Sequence, residues 1–134
     1  MNMIDAVRSI FGNYANFNGR ARRAEYWWWW LAQILLMFVM IIPMVAISPE
    51  TSEIGATISL ILIAVWSIGT LLPNITVTVR RLHDSDKTGW LYLLGLIPYI
   101  GGLILFVLML LPGTPGENQY GDDPKDDVSG EIFA

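Results

Sequence analysis

The chain contains no cysteine. It can therefore form no disulfide framework, no cysteine-ligated metal site and no thiol nucleophile. It has one histidine, His83; a lone histidine beside acids falls short of the three or four protein ligands that a transition metal normally takes. Charge is scarce as well: charged residues make up 15% of the 134, where soluble domains carry about 25%. Tyr26 to Pro49, Ile54 to Val79 and Thr88 to Gly116 hold no Asp, Glu, Lys or Arg at all. Membrane spans built from these segments have no mid-depth charge, which argues against a proton relay or charge-coupled pump in one copy. Phosphate-binding glycine loops, zinc-protease helices and paired intramembrane carboxylates are absent too. The sequence implies no cofactor and no nucleic-acid partner.

What is present is mostly apolar, with hydrophobic residues at 54%. Apolar stretches of about 18 residues or more read as membrane spans. The prediction is an all-α membrane protein with spans at about 27–47, 54–79 and 90–111, forming one domain over 1–111 before a flexible, acidic tail at 112–134. The first run is too long, and followed by too much further apolar chain, to be the h-region of a cleaved signal peptide. Pro43 lies near its far end. The second run has excess length for a hydrocarbon core of about 30 Å, which a tilt or a kink at Pro73 absorbs. Pro73 supplies no N–H and so frees the carbonyl of Gly69. Asn74, Thr76 and Thr78 follow directly, and Pro73–Asn74 is a candidate polar kink. Pro98 and Gly101–Gly102 interrupt the third run. One kinked span is expected; the alternative is a re-entrant pair, which puts the C-terminus on the other side.

Ahead of the spans, Met3, Ile4, Val7, Ile10, Phe11 and Tyr14 recur at helical spacing, with Asn2, Asp5, Ser9 and Asn13 opposite. This predicts a short amphipathic helix, lying in the membrane interface or packed on the end of the bundle. Asn16-Phe17-Asn18-Gly19 is a turn, with Asn18 the expected N-cap of the next helix. Trp27 to Trp30 wrap most of a helical turn, so they suit an interfacial aromatic belt better than a stacking platform for one ligand. Asp86 or Thr88 can cap the helix after the second polar segment.

Two polar knots hold most of the remaining charge. Arg20, Arg22, Arg23 and Glu25 precede the first span; Arg80, Arg81, His83, Asp84, Asp86 and Lys87 follow the second. Arg22 and Glu25 are spaced to pair at i,i+3. The turn at 48–53 has no cation, and the tail has Lys125 against six acids. Cytoplasmic flanks are enriched in Lys and Arg. With three spans, that rule puts the N-terminus and both knots in the cytoplasm and the C-terminus outside. Glu25 and Asp84 are expected to pair with arginines across the knots. The surplus cations of Arg20, Arg22, Arg23, Arg80, Arg81 and Lys87 then meet anionic headgroups or an acidic partner. His83 reads as a brace of its loop; Ser85, His83 and Asp84 are too close in sequence to be read as a triad.

Three blocks, FNGRARRAEYWW (Phe17 to Trp28), LPNITVTVRRLHDSDKTGW (Leu72 to Trp90) and PGTPGENQYGDDP (Pro112 to Pro124), resemble signatures of the domain-of-unknown-function 805 family of small, YhaH-like bacterial inner-membrane proteins. The resemblance implies a helical inner-membrane protein with no assigned activity. One departure is Asp86, where the family pattern usually has glycine; Asp tolerates a positive φ better than most residues. The function expected is that of a non-enzymatic interaction or accessory protein whose cytosolic arginine cluster touches anionic lipid or a membrane partner. The alternative is a small homo-oligomeric transporter or channel using broken helices at Pro73–Asn74 and Pro98–Gly102. A membrane enzyme built on His83 and Asp84 is the third and weakest reading.

Overall fold

The structure is a computed structural model that describes residues 1–46, 50 and 52–124. In chain order it comprises α1 (Met3–Gly12), α2 (Arg23–Ala46), α3 (Ser52–Asp84), a 3-10 helix (Gly89–Leu96) and α4 (Gly101–Leu110). The described residues contain no strand, only an isolated bridge between Asn118 and Gly121. Residues 48, 49 and 51 of the 48–53 turn, and 125–134 of the predicted tail, lie outside the described residues.

α1 forms where the periodicity places it. Asn2 Oδ1 accepts from the Asp5 amide at 2.8 Å, capping the first turn. Ala6 and Ile10 are fully buried, while Ile4 is 67% exposed, so α1 rests its inner edge on the end of the bundle. The expected N-cap at Asn18 is not used, because α2 begins only at Arg23. The Asn18 amide instead donates to Asn16 Oδ1. Gly19 turns at φ +90, and the Ala21 amide donates to Arg80 O at 3.0 Å. This long-range bond keeps the lead-in out of the helix.

α2 and α3 run antiparallel. Their register reads off four contacts: Arg80 with Glu25, Trp29 with Asn74, Gln33 with Trp66, and the Met44 amide with Ser59 Oγ. Both are long and apolar enough to cross a membrane, yet only 11% of α2's most apolar window and 17% of α3's is buried inside the protein. A soluble core helix would be mostly covered; these faces turn outward. The packed interior is small and lies at the charged end, around Ile10, Ala21, Trp29 and Val77. The carbonyl freed by Pro73 is satisfied there, since the Tyr14 hydroxyl donates to Gly69 O. Thr76 Oγ1 donates in return to Tyr14 O at 3.3 Å, so Tyr14, just past α1, holds α3 at two points around Pro73.

α3 has 33 residues, or about 50 Å at 1.5 Å per residue. It continues beyond the apolar run, so Arg80 to Asp84 sit on its last turns rather than in a loop. It ends in a Schellman arrangement: the Lys87 amide donates to Leu82 O and the Asp86 amide to His83 O, both at 2.9 Å. Asp86 takes the left-handed position at φ 60, which is why glycine suits this site. Thr88 then caps the 3-10 helix, its hydroxyl accepting from the Trp90 amide.

The single kinked span expected over 90–111 does not form. The 3-10 helix and α4 fold into a hairpin about Pro98, with Tyr99 at φ 69. A Cβ on Gly101 would lie 2.5 Å from Leu94 O, and one on Gly95 2.5 Å from Leu105 Cδ1. Two glycines thus let the arms close on each other, and the proline removes the amide a continuous helix would need. The turn keeps its backbone bonded through Ile100 N to Pro98 O and Gly101 N to Ile97 O, both at 2.9 Å. The chain therefore returns to the end it left, and 112–124 lie on the same side as the N-terminal knot. As far as residue 124 the tail therefore does not lie at the end opposite the N-terminal knot, where a single crossing would have carried it. Nor is this part of the tail loose, because it is bonded to α3 and Arg20.

Candidate functional site

The two knots meet, and the tail closes over them. Asp84 Oδ1 accepts from Arg20 Nε at 3.1 Å and Asp84 Oδ2 from an Arg81 terminal nitrogen at 2.7 Å; all three side chains are at most 3% exposed. Glu25 Oε1 accepts from Arg80 at 3.1 Å and from Ser9 Oγ at 2.9 Å. One carboxylate so joins α2 to the end of α3, and reaches α1 through a serine on α1's polar face.

Arg20 has five N–H donors, and all five are used. Besides Asp84 Oδ1 they reach Asp84 O at 3.1 Å, Thr114 O and Gly116 O at 2.6 Å, and Gly121 O at 3.4 Å. Arg81 donates to Leu111 O, and the Thr114 amide to Asp84 O at 2.6 Å. A Cβ on Gly113 would collide with the Asp84 carboxylate, so glycine is needed where the tail passes. The arginines are anchored on backbone carbonyls, which no side-chain pattern announces.

His83 sits in the same layer, beyond the apolar run of α3. Its Nδ1 lies 3.0 Å from Gly19 O; a carbonyl only accepts, so Nδ1 carries the proton. Its ring stacks on Tyr120 with centroids 3.9 Å apart and planes 3° apart. Asn118 Nδ2 donates to His83 O at 2.9 Å. Burial pushes the imidazole below its ordinary pKa, partly opposed by the Gly19 bond. Asp84 is turned to the arginines, and Ser85 Oγ donates to Leu82 O. Neither is arranged around His83 as in a triad. Among the described residues no group of three His, Cys, Asp or Glu could hold a metal ion.

The other predicted site residues scatter. Arg22 is half-buried, its Nε without a partner, and it forms no ion pair with Glu25. Arg23 is exposed and donates to Leu110 O at 3.2 Å. Lys87 reaches Ser85 O at 3.3 Å. Pro73 is buried, and Asn74 Oδ1 accepts from Trp29 Nε1 at 2.7 Å. Thr76 and Thr78 are buried and donate to Pro73 O and Asn74 O, so the three polar residues after Pro73 turn into their own protomer rather than toward a lumen. Three residues that hold these parts together were given no role in the sequence, Gln33, Gly113 and Tyr120, and Ser9 was read only as part of α1's polar face. Gln33 had a signal, as the lone amide side chain between Tyr26 and Pro49.

Comparison with known proteins places the chain among inner-membrane proteins. The family described as "Protein of unknown function (DUF805)" matches residues 14–122. Inner membrane protein YhaH of Escherichia coli (strain K12) is 41% identical over 124 residues, 91% of this chain and 98% of that protein. Inner membrane protein YhaI of the same strain is 38% identical over 118 residues, 87% of this chain and 92% of its own length. No solved structure matches. The match spans both knots, both long apolar helices and the docked tail segment, and the chain belongs to the DUF805 family of inner-membrane proteins of unknown function.

Proposed function

We propose that this is a non-enzymatic accessory protein of the inner membrane: a two-span scaffold with a re-entrant hairpin, presenting one charged face to the cytoplasm. The observation that carries the reading is the set of three buried ion pairs. Both oxygens of Asp84 are engaged by Arg20 and Arg81, and Glu25 Oε1 by Arg80 and Ser9, so the knot is built as a clamp rather than as an acid–base pair. Headgroup contact then falls to cations at the rim. Arg8 and Arg23 are exposed, and Lys87 is half-buried. Arg8 belongs to neither knot; α1 brings it to the groove that it forms with α2, beside Leu35, Leu36 and Val39.

In nanodiscs, Arg8→Gln with Arg23→Gln is expected to keep the fold and weaken retention of anionic phospholipid by about 1 kcal/mol for each cation lost. Undiminished anionic-lipid retention overturns the headgroup contact. Sidedness has a separate check. Basic flanks place the N-terminus in the cytoplasm, and the hairpin, with arms of 8 and 10 residues, is too short in either arm to cross. A C-terminal reporter that works only in the cytoplasm is expected to be active. Activity of a reporter that works only outside would refute the hairpin.

A further inference from the structure

The α2–α3 seam carries two adjoining, half-open cavities that share Trp30, Gln33 and Asn74. The outer, about 260 Å³, opens beside Tyr26 and Thr78. The inner, about 350 Å³, continues past Met37 and Met40 toward Ile63. No lining residue of either carries a charge. Both lie between α2 and α3, lined on α2 from Tyr26 to Met40.

The polarity of this seam is set by two indoles. Trp66 Nε1 donates to Gln33 Oε1, and Trp29 Nε1 to Asn74 Oδ1, each at 2.7 Å. An indole N–H only donates, so neither amide can be flipped without setting N–H against N–H. Each amide must therefore keep its oxygen for tryptophan and turn its NH₂ away from it. Gln33 Nε2 is buried with no partner, and Asn74 Nδ2 forms no hydrogen bond among the described residues. Nearby hydroxyls do not answer them: Thr70 and Thr78 donate to Trp66 O and Asn74 O within α3. A donor left unpaired in hydrocarbon is costly, with no bulk water to meet it.

The seam thus offers two neutral donors in an aromatic and aliphatic wall. An anion would find no cation there. A carbonyl oxygen on an apolar body fits both features. We propose that the α2–α3 seam is a binding site for a membrane-soluble carbonyl compound, held through the NH₂ groups of Gln33 and Asn74 with its apolar part against Met37 and Met40. That chemistry has two sources in a bilayer, the ring ketones of a quinone and the ester carbonyls of a phospholipid.

The test uses the full chain in nanodiscs of ether-linked phospholipid, which carry no ester, with bound molecules counted by native mass spectrometry. Two pairs are compared: a decyl-substituted benzoquinone against decylbenzene, and a diester phosphatidylglycerol against its diether. The expected result is a preference of about tenfold or more for the carbonyl member of at least one pair, the worth of one to two net hydrogen bonds. The pair that shows it identifies the source. Gln33→Met, which keeps side-chain length without the donor, should erase most of that preference. Ser67→Phe, on an exposed position at the inner cavity, should block binding with both amides intact. Equal retention within both pairs overturns the proposal. So does a preference unchanged in Gln33→Met, or self-crosslinking of Gln33→Cys, which would show a second copy filling the seam.

Discussion

Asp84→Ala is expected to dismantle the charged end of the protein, at a cost of about 3–5 kcal/mol. The carboxylate neutralises two arginines at once, and Arg20, Arg81 and Asp84 side chains are 1%, 0% and 3% exposed. Removing it strands both guanidinium groups in a site already closed to water. The effect spreads because Arg20 also holds the carbonyls of Thr114, Gly116 and Gly121. Melting in detergent should fall well below wild type, and the tail segment 112–124 should become open to proteases. Asp84→Asn should be nearly as damaging, since it keeps the shape but not the charge. Asp122→Ala, at an exposed position, should stay within about 0.5 kcal/mol of wild type. An Asp84→Ala protein that melts with the wild type, tail still protected, would show that the clamp does not hold the fold.

Glu25→Ala comes second, with an expected loss of similar size, about 3–5 kcal/mol. Glu25 is the only hydrogen-bond acceptor found for the Arg80 side chain among the described residues, whose Nε and second terminal nitrogen are already buried without partners. Without Glu25 the whole guanidinium would be buried and unanswered. Ser9 Oγ would lose its acceptor too, loosening α1 from α2. Glu50→Ala changes an exposed residue and should shift stability by no more than about 0.5 kcal/mol. Equal melting shifts for the two variants would rule out the cross-knot pairing. A double variant, Glu25→Ala with Arg80→Ala, should recover part of the loss, because it removes the stranded cation along with its partner.

Residues bonded near one another in sequence were legible beforehand. Hydropathy marked α2 and α3, because a membrane-crossing helix satisfies its own backbone and needs nothing but length and apolar surface. Proline chemistry identified Gly69 O as the carbonyl set free by Pro73. Local cap chemistry offered Asp86 or Thr88 as the next cap, and Thr88 takes it; the family resemblance drew attention to Asp86, which takes a positive φ. The amphipathic spacing of α1 likewise appeared in the structure at Met3–Gly12.

Long-range partners were not legible, for a physical reason. Arg20 is held largely by main-chain carbonyls 94 to 101 residues away, and every residue type carries a carbonyl. Tyr14's hold on Gly69 O spans 55 residues. The early start of α2 was overruled by one bond from Ala21 to Arg80 O. The stretch 90–111 was long enough to cross and also able to fold back; composition fits both. Close approach at Gly95 and Gly101, together with the tail's anchorage on Asp84, selects the hairpin. By itself the sequence determined a helical chain with three long apolar runs, read as three spans, and with its cations gathered beside the first two. Only the tertiary structure decided that Arg20, Arg80 and Arg81 form an internal clamp, that 112–124 fold back over it, and that two amides in the seam face a cavity. Those outcomes depend on which buried donor meets which acceptor, and burial brings together groups that the chain order keeps apart.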